Sequence, residues 1–168
     1  MATTSSPTSV PEERELVITR VFDAPRERVW KMWTEPESIK LWWGPVGFTA
    51  PYVRIDLRVD GKYLYCMRGS DGKEYWSGGT FREIVPMERI VATDSFTDKD
   101  GNIVSATSYG LSAEYPLELM LTVTFEDEEN GKTKLTIRHA GHPSGQDMEG
   151  ARIGWTTSLD KFAEALAK

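Results

Sequence analysis

The chain has 168 residues, close to the length of one domain and enough to bury a substantial core. At 39% hydrophobic and 27% charged it has the composition of a folded soluble protein rather than a disordered one. Its 20 basic and 26 acidic side chains leave a net charge of −6 with no dense lysine or arginine cluster, which argues against nucleic acid and anionic membrane surfaces as partners. The single cysteine, Cys66, excludes an internal disulfide and fits a reducing compartment. The first residues, MATTSSPTSVPEER, have neither the basic start nor the apolar run of a secretory signal. No apolar stretch approaches the ~18 residues of a membrane span, so the expected location is the cytoplasm.

Residues 1–14 are rich in Ser, Thr and Pro and are expected to form a flexible tail ahead of a single domain over 15–168. ELVITRVF (15–22) is rich in β-branched residues and predicts a strand. In APRERVWKMWTE, Pro25 suits a first helical turn, and Val29, Trp30 and Trp33 fall at helical spacing. A second short helix, PESIKLWW, starts at Pro36 and stops at Gly44-Pro45.

From about residue 49 to 140 the pattern turns to strands and turns. Val53, Ile55, Leu57 and Val59 alternate with Arg54, Asp56 and Arg58, and Asp60-Gly61 signals a hairpin. Tyr63, Tyr65 and Met67 share one face of the next strand. YWSGGTFREIV (75–85) continues the sheet, with Gly78-Gly79 expected to mark a bulge or a close approach. RIVATDSF (89–96) is another strand. Residues 103–116 carry no clear period and read either as strand ends or as a long loop able to act as a mobile lid. LELMLTVTFED (117–127) and KTKLTIRHA (132–140) form a hairpin around Asn130-Gly131. From 146 to 167, Met148, Ala151, Arg152, Trp155, Leu159, Phe162, Ala163 and Leu166 follow helical spacing and predict one long amphipathic helix.

Strands run in succession rather than alternating with helices. The predicted class is therefore α+β, a twisted antiparallel sheet curved around the C-terminal helix, with two short helices after the first strand.

Little catalytic chemistry can be named from spacing. His139 and His142 form an H-x-x-H pair, too few ligands for a metal site, and no metal or cofactor is expected. His139 lies on the apolar face of its strand. It reads as a buried, hydrogen-bonded histidine, or else as a polar contact or general acid/base toward a ligand. His142, beside Pro143, reads as loop surface. Arg54, Asp56 and Arg58 read as solvated charges opposite the apolar face, or as a head-group contact if that face is inside. GSDG (69–72) and SGG (77–79) do not sit between strand and helix and are not phosphate loops.

The order of elements, and the stretches FDAPRERVWKMWTEPESIKLWWGP (22–45), DLRVDGKYLYCMRGSDGKEYWSGGTFREIVPMERIV (56–91), LTVTFEDEENGKTKLTIRHAG (121–141) and GWTTSLDKFAEALA (154–167), resemble the homologues of the activator of heat-shock protein 90 ATPase. That family sits in the START-like superfamily with the helix-grip fold. The resemblance implies a cavity between the curved sheet and the C-terminal helix, taking a small hydrophobic or amphipathic molecule such as a lipid, sterol or polyketide-like compound. Two alternatives come with it: a protein-interaction module with a chaperone as partner, and a cyclase-like enzyme. The eukaryotic co-chaperone behind the family name has a further N-terminal domain, and no counterpart of it is expected here.

On this resemblance the short helices close one end of the cavity, which frames the four tryptophans between residues 30 and 43. Trp30 and Trp33 share one helical face and read as core first, as ligand contacts second. Trp42 and Trp43, about 100° apart around a helix axis, cannot both point the same way. One is expected in the core and the other at the cavity mouth. The candidate ligand-binding set is Trp33, Trp42, Trp43, Phe48, Tyr63, Tyr65, Met67, Trp76, His139, Met148, Arg152 and Trp155. Arg152 reads either as a contact to an anionic group or as a side chain snorkelling to solvent.

Overall fold

A computed structural model describes residues 14–143 and 145–168. Strand β1 (Glu15–Phe22) leads into two short helices, α1 (Arg26–Thr34) and α2 (Pro36–Ile39). Five strands follow before the last one: β2 (Thr49–Ile55), β3 (Lys62–Arg68), β4 (Glu74–Val85), β5 (Arg89–Thr97) and β6 (Leu119–Glu128). Then come β7 (Lys132–Ala140) and the long helix α3 (Gln146–Leu166). All seven strands form one antiparallel sheet in the order β1-β7-β6-β5-β4-β3-β2. Five hairpin steps lay down β2 to β7 side by side, and β1 closes on β7. The fold is α+β, a curled sheet around α3 with short helices after the first strand, as the order of elements predicts.

Strand β4 passes close to both of its neighbours at Gly78-Gly79. A methyl group on Gly78 would lie 2.5 Å from the carbonyl oxygen of Tyr63, and one on Gly79 1.9 Å from that of Thr93. Only a residue without a Cβ lets β4 pass this close to both neighbours. Of the two expectations for this pair, close approach is the one seen. The bulge lies further along, where the register shifts between Phe81 and Glu83.

The concave face carries Phe81, Ile90, Ala92, Leu121, Val123, Phe125, Leu135 and Ile137, all buried. Strand periodicity puts these side chains on one side, and α1, α2 and α3 cover them. Phe162 of α3 packs against Phe22, Trp33 and Trp42, with ring centroids 4.8, 6.1 and 5.0 Å away. Burial along α3 is uneven. Ser158, Leu159, Phe162, Ala165 and Leu166 are buried, whereas Met148, Ala151 and Trp155 are only half-buried. The helix is seated at its C-terminal half and stands off the sheet at its N-terminal half.

Two local expectations need correction. The strand predicted through Val59 ends at Ile55, because a tight turn intervenes: the Asp56 amide donates to the Lys62 carbonyl at 2.9 Å and the Gly61 amide to the Arg58 carbonyl at 2.8 Å. In that turn Asp60, not Gly61, takes the positive φ of 70°. Arg54, Asp56 and Arg58 all face solvent. The strand predicted from Leu117 starts at Leu119, leaving Leu117 exposed. The expected flexible tail lies, for residues 1–13, outside the described residues. Arg14, placed in that tail, donates side-chain hydrogen bonds to the carbonyls of His142, Gly141 and Glu114.

Residues 103–116 are neither strand nor free loop. Ile103 makes a single bridge to Thr97, and Ala106–Tyr109 form one 3-10 turn. The Tyr109 hydroxyl donates to the Thr97 carbonyl and accepts from the Trp76 amide. Tyr115 packs edge-on to Phe96 with centroids 5.7 Å apart. Two tyrosines thus fasten the segment across one end of the sheet.

Candidate functional site

Where α3 stands off the sheet, two adjoining hollows remain, each of about 150 Å³. The inner one reaches down to β5 and β7; the outer one opens beside Gly44-Pro45 and the Ala151–Ser158 stretch of α3. Trp43, Met67 and Trp155 line both and form the partition between them. Trp43 and Trp155 meet edge to face at 5.8 Å, and Trp43 rests on Tyr65 at 4.8 Å.

The inner hollow has an apolar wall and a polar floor. The floor is a hydrogen-bonded chain whose direction follows from what each group can do. The Trp155 indole Nε1–H can only donate, and it points at Nδ1 of His139 at 3.2 Å. That nitrogen must therefore carry a lone pair, so the His139 proton is on Nε2. Nε2–H donates to Asp94 Oδ2 at 2.7 Å. His139 Nδ1 also lies 2.8 Å from His142 Nε2, which must then be the donor. His142 Nδ1 is left to accept from the Tyr115 hydroxyl at 3.3 Å. Every ring nitrogen is used, and both imidazoles are neutral in this arrangement.

The electrostatics bear on His142. Burial first, and the adjacent His139 second, push His142 down to about 3, while the Asp94 carboxylate opposes them in part. Tyr63 donates its hydroxyl to the Thr93 carbonyl at 2.7 Å and to Asp94 Oδ1 at 3.2 Å. Burial and then the Asp94 charge raise both Tyr63 and Tyr65 above their ordinary values, so these phenols stay protonated. Asp94 accordingly accepts on both oxygens.

Of the predicted set, Trp43, Met67, Trp76, His139 and Trp155 line the inner hollow. The remaining seven stand elsewhere. Trp42 is sealed in the core at 1% exposure, its Nε1–H donating to the Met32 carbonyl at 2.9 Å. The pair of neighbours divides as expected, Trp42 inward and Trp43 to the cleft. Trp33 backs the partition, stacked on Trp155 at 6.1 Å. Tyr63 and Tyr65 lie buried behind the lining. Phe48 packs on Tyr75 at 6.0 Å and borders a separate surface hollow beside Lys161. Arg152 is exposed, because Ala151, Gly154, Trp155 and Ser158 form the stripe that faces the cleft and Arg152 is turned about 100° from Ala151. Met148 is half-buried one turn beyond the lined region.

The sequence reading missed Asp94, His142 and Tyr115. His142, expected on the loop surface, is 5% exposed because Arg14 and Tyr115 enclose it. Asp94 had a readable signal: in Ile90, Ala92, Asp94, Phe96 a charge occupies an inward position of β5. Tyr115 had none, since its segment has no period. Among the described residues no three metal-binding side chains converge.

A curved antiparallel sheet gripping a C-terminal helix, with a lined cleft between them, defines a helix-grip protein of the START-like class. Residues 23–167 match the family described as Activator of Hsp90 ATPase homolog 1-like protein. The chain belongs to that family. It resembles the crystal structure of a Chromobacterium violaceum protein at 28% identity and a TM-score of 0.76, covering 92% of this chain and 98% of that one. An Arthrobacter aurescens protein solved by NMR is 25% identical with a TM-score of 0.76, covering 96% and 92%. A Silicibacter pomeroyi protein, 22% identical with a TM-score of 0.72 over 91% and 97%, shares the fold. A comparison with curated proteins finds no match. Among the described residues no helix is long and apolar enough to cross a membrane.

Proposed function

We propose that the protein binds a small hydrophobic or amphipathic molecule, of lipid, sterol or polyketide-like kind, between the sheet and α3. The observation that carries this reading is the pair of adjoining hollows separated only by Trp43, Met67 and Trp155. Sites for small molecules are mostly apolar and partly pre-formed, usually of about 300–1,000 Å³. Each hollow alone is smaller than that. Rotation of the Trp155 indole, which lines both, would join them. The proposed location is the cytoplasm.

Two other readings have an observation each. Val46 and Ile153, 63% and 57% exposed, flank the outer hollow and suit a protein partner such as a chaperone. The Asp94–His139 pair at the cavity floor suits a cyclase-like enzyme, although in this arrangement neither ring nitrogen is free.

Two-dimensional amide NMR against fatty acids, sterols and polyketide-like aromatics tests the main reading. Expected are shifts concentrated on Trp43, Met67, His139 and the Ala151–Ser158 turns. Silence across the library, with shifts appearing instead on a chaperone at Val46 and Ile153, transfers the function to protein interaction.

A further inference from the structure

We propose that this cavity selects neutral apolar molecules bearing a hydroxyl or similar hydrogen-bond donor, and rejects carboxylates. The inference rests on the cavity-binding reading above and names the ligand chemistry it requires.

The charged group lining the inner hollow is Asp94. It accepts from His139 Nε2–H and from the Tyr63 hydroxyl, both neutral donors. The Trp155 indole fixes the His139 tautomer, so the imidazole brings no positive charge to offset the carboxylate. Nearby cations are engaged or turned away. Arg14 is spent on the carbonyls of Glu114, Gly141 and His142. Lys161 donates to the carbonyls of Pro45 and Phe48, and burial lowers its pKa. Arg20 pairs with Asp160 at 2.7 Å, and Arg152 is on the exposed side of α3. A ligand carboxylate would enter a confined site beside a second carboxylate, with no lining cation among the described residues to receive it. Burying such an unpaired charge is among the most unfavourable events in binding.

A hydroxyl meets the opposite situation. His139 Nδ1 is an acceptor currently shared by two donors, His142 and Trp155. Trp155 is also part of the partition between the hollows. A ligand O–H that takes the indole's place on Nδ1 keeps the hydrogen-bond count constant while the indole swings aside and the two hollows merge. The exchange is one donor for another, so no buried acceptor is stranded. An ether of the same shape offers nothing to Nδ1 and must displace Trp155 without replacing its bond. Ligand donor and cavity opening are thereby coupled through one nitrogen atom.

The test uses the wild-type protein and three probes of matched shape: 2-naphthol, 2-methoxynaphthalene and 2-naphthoate, titrated near neutral pH by calorimetry and by the Trp155 indole resonance. The expected order places 2-naphthol about tenfold or more tighter than either of the others, the scale of one well-placed hydrogen bond to a buried acceptor. The Trp155 Nε1–H resonance should move with 2-naphthol. Equal or tighter binding of 2-naphthoate overturns the charge argument, and equal binding of the ether overturns the donor argument. Both results leave the cavity reading intact, since something has bound. Absence of binding by all three removes the cavity reading and this inference with it. In Asp94→Asn, shown folded by its melt, 2-naphthoate should gain on 2-naphthol by about tenfold; an unchanged ratio assigns the selectivity elsewhere and overturns the role of Asp94.

Discussion

Trp42→Ala and Trp155→Ala separate the tryptophans that pack from those that border the cleft. Trp42 is 1% exposed, and its ring lies 4.7 Å from Trp33, 5.6 Å from Trp43 and 5.0 Å from Phe162. Truncation to alanine empties a closed aromatic cluster, costing about 3–5 kcal/mol. It also strands the Met32 carbonyl, which accepts the indole N–H, for about 1 kcal/mol more. Together these consume a large part of a typical domain stability of about 5–15 kcal/mol. At this chain length each kcal/mol moves the midpoint by about 2–4 °C, so the melt should drop by roughly 10–20 °C.

Trp155 is half-buried and faces existing space on two sides. Its removal enlarges an open cleft rather than creating a sealed void, and His142 still donates to His139 Nδ1. The cost should be about half that of Trp42→Ala, on the order of 2 kcal/mol. Urea unfolding of the two variants gives the comparison directly, with the slope checked for a change in the denatured state. Trp155→Ala as damaging as Trp42→Ala would refute the reasoning, since it would make Trp155 a core residue and the hollows mere packing defects.

Other outcomes follow from individual contacts. His142 is held down to about 3 against an unfolded value near 6.5, so the unfolded chain binds the extra proton first. Its contribution to stability is constant above about pH 6.5 and declines as pH falls toward 3, at up to about 1.4 kcal/mol per pH unit. Urea titrations between pH 7 and 5 should show this slope, flattened in His142→Asn; equal slopes in both would contradict it. Burial pushes the Cys66 thiol up to about 11. A disulfide exchange reagent near neutral pH should label Cys66 only after denaturant is added, and prompt labelling of the native protein would show that the strand opens. Gly79→Ala drives a Cβ into the Thr93 carbonyl and should destabilise by about 3 kcal/mol or abolish folding; a near-normal melt would mean that β4 shifts easily.

Periodicity carries a great deal of this fold. Alternation in ELVITRVF, KYLYCMR and the 119–140 hairpin, and the helical stripe of residues 146–167, place β1, β3, β6, β7 and α3. Recognition of the family added the concave cleft, which no local pattern contains. The limits are equally physical. Asp56 to Gly61 continues the alternation of β2, but backbone hydrogen bonds fold it into a turn, and a side-chain pattern does not register them. Arg152 shares helical spacing with Trp155, yet the cleft is narrow enough that one column of residues fills its width. His142 and Tyr115 come from irregular backbone on either side of β6 and β7, and only the closed sheet brings them together. The five predicted residues that line the inner hollow are four from periodic elements and Trp43, whose place was read from the stop at Gly44-Pro45.

The uneven seating of α3 makes it a cantilever. Leu159, Phe162 and Leu166 are the clamp, and the turns toward Gln146 carry none of the buried side chains of the helix. On the proposed cavity reading, deflection of that end would change the volume over the sheet while leaving the clamp undisturbed. Size selectivity and stability would then, on the same reading, reside in different parts of one helix. Substitutions at Ala151 or Gly154, which line the outer hollow, would on that reading retune what fits at little cost to the fold.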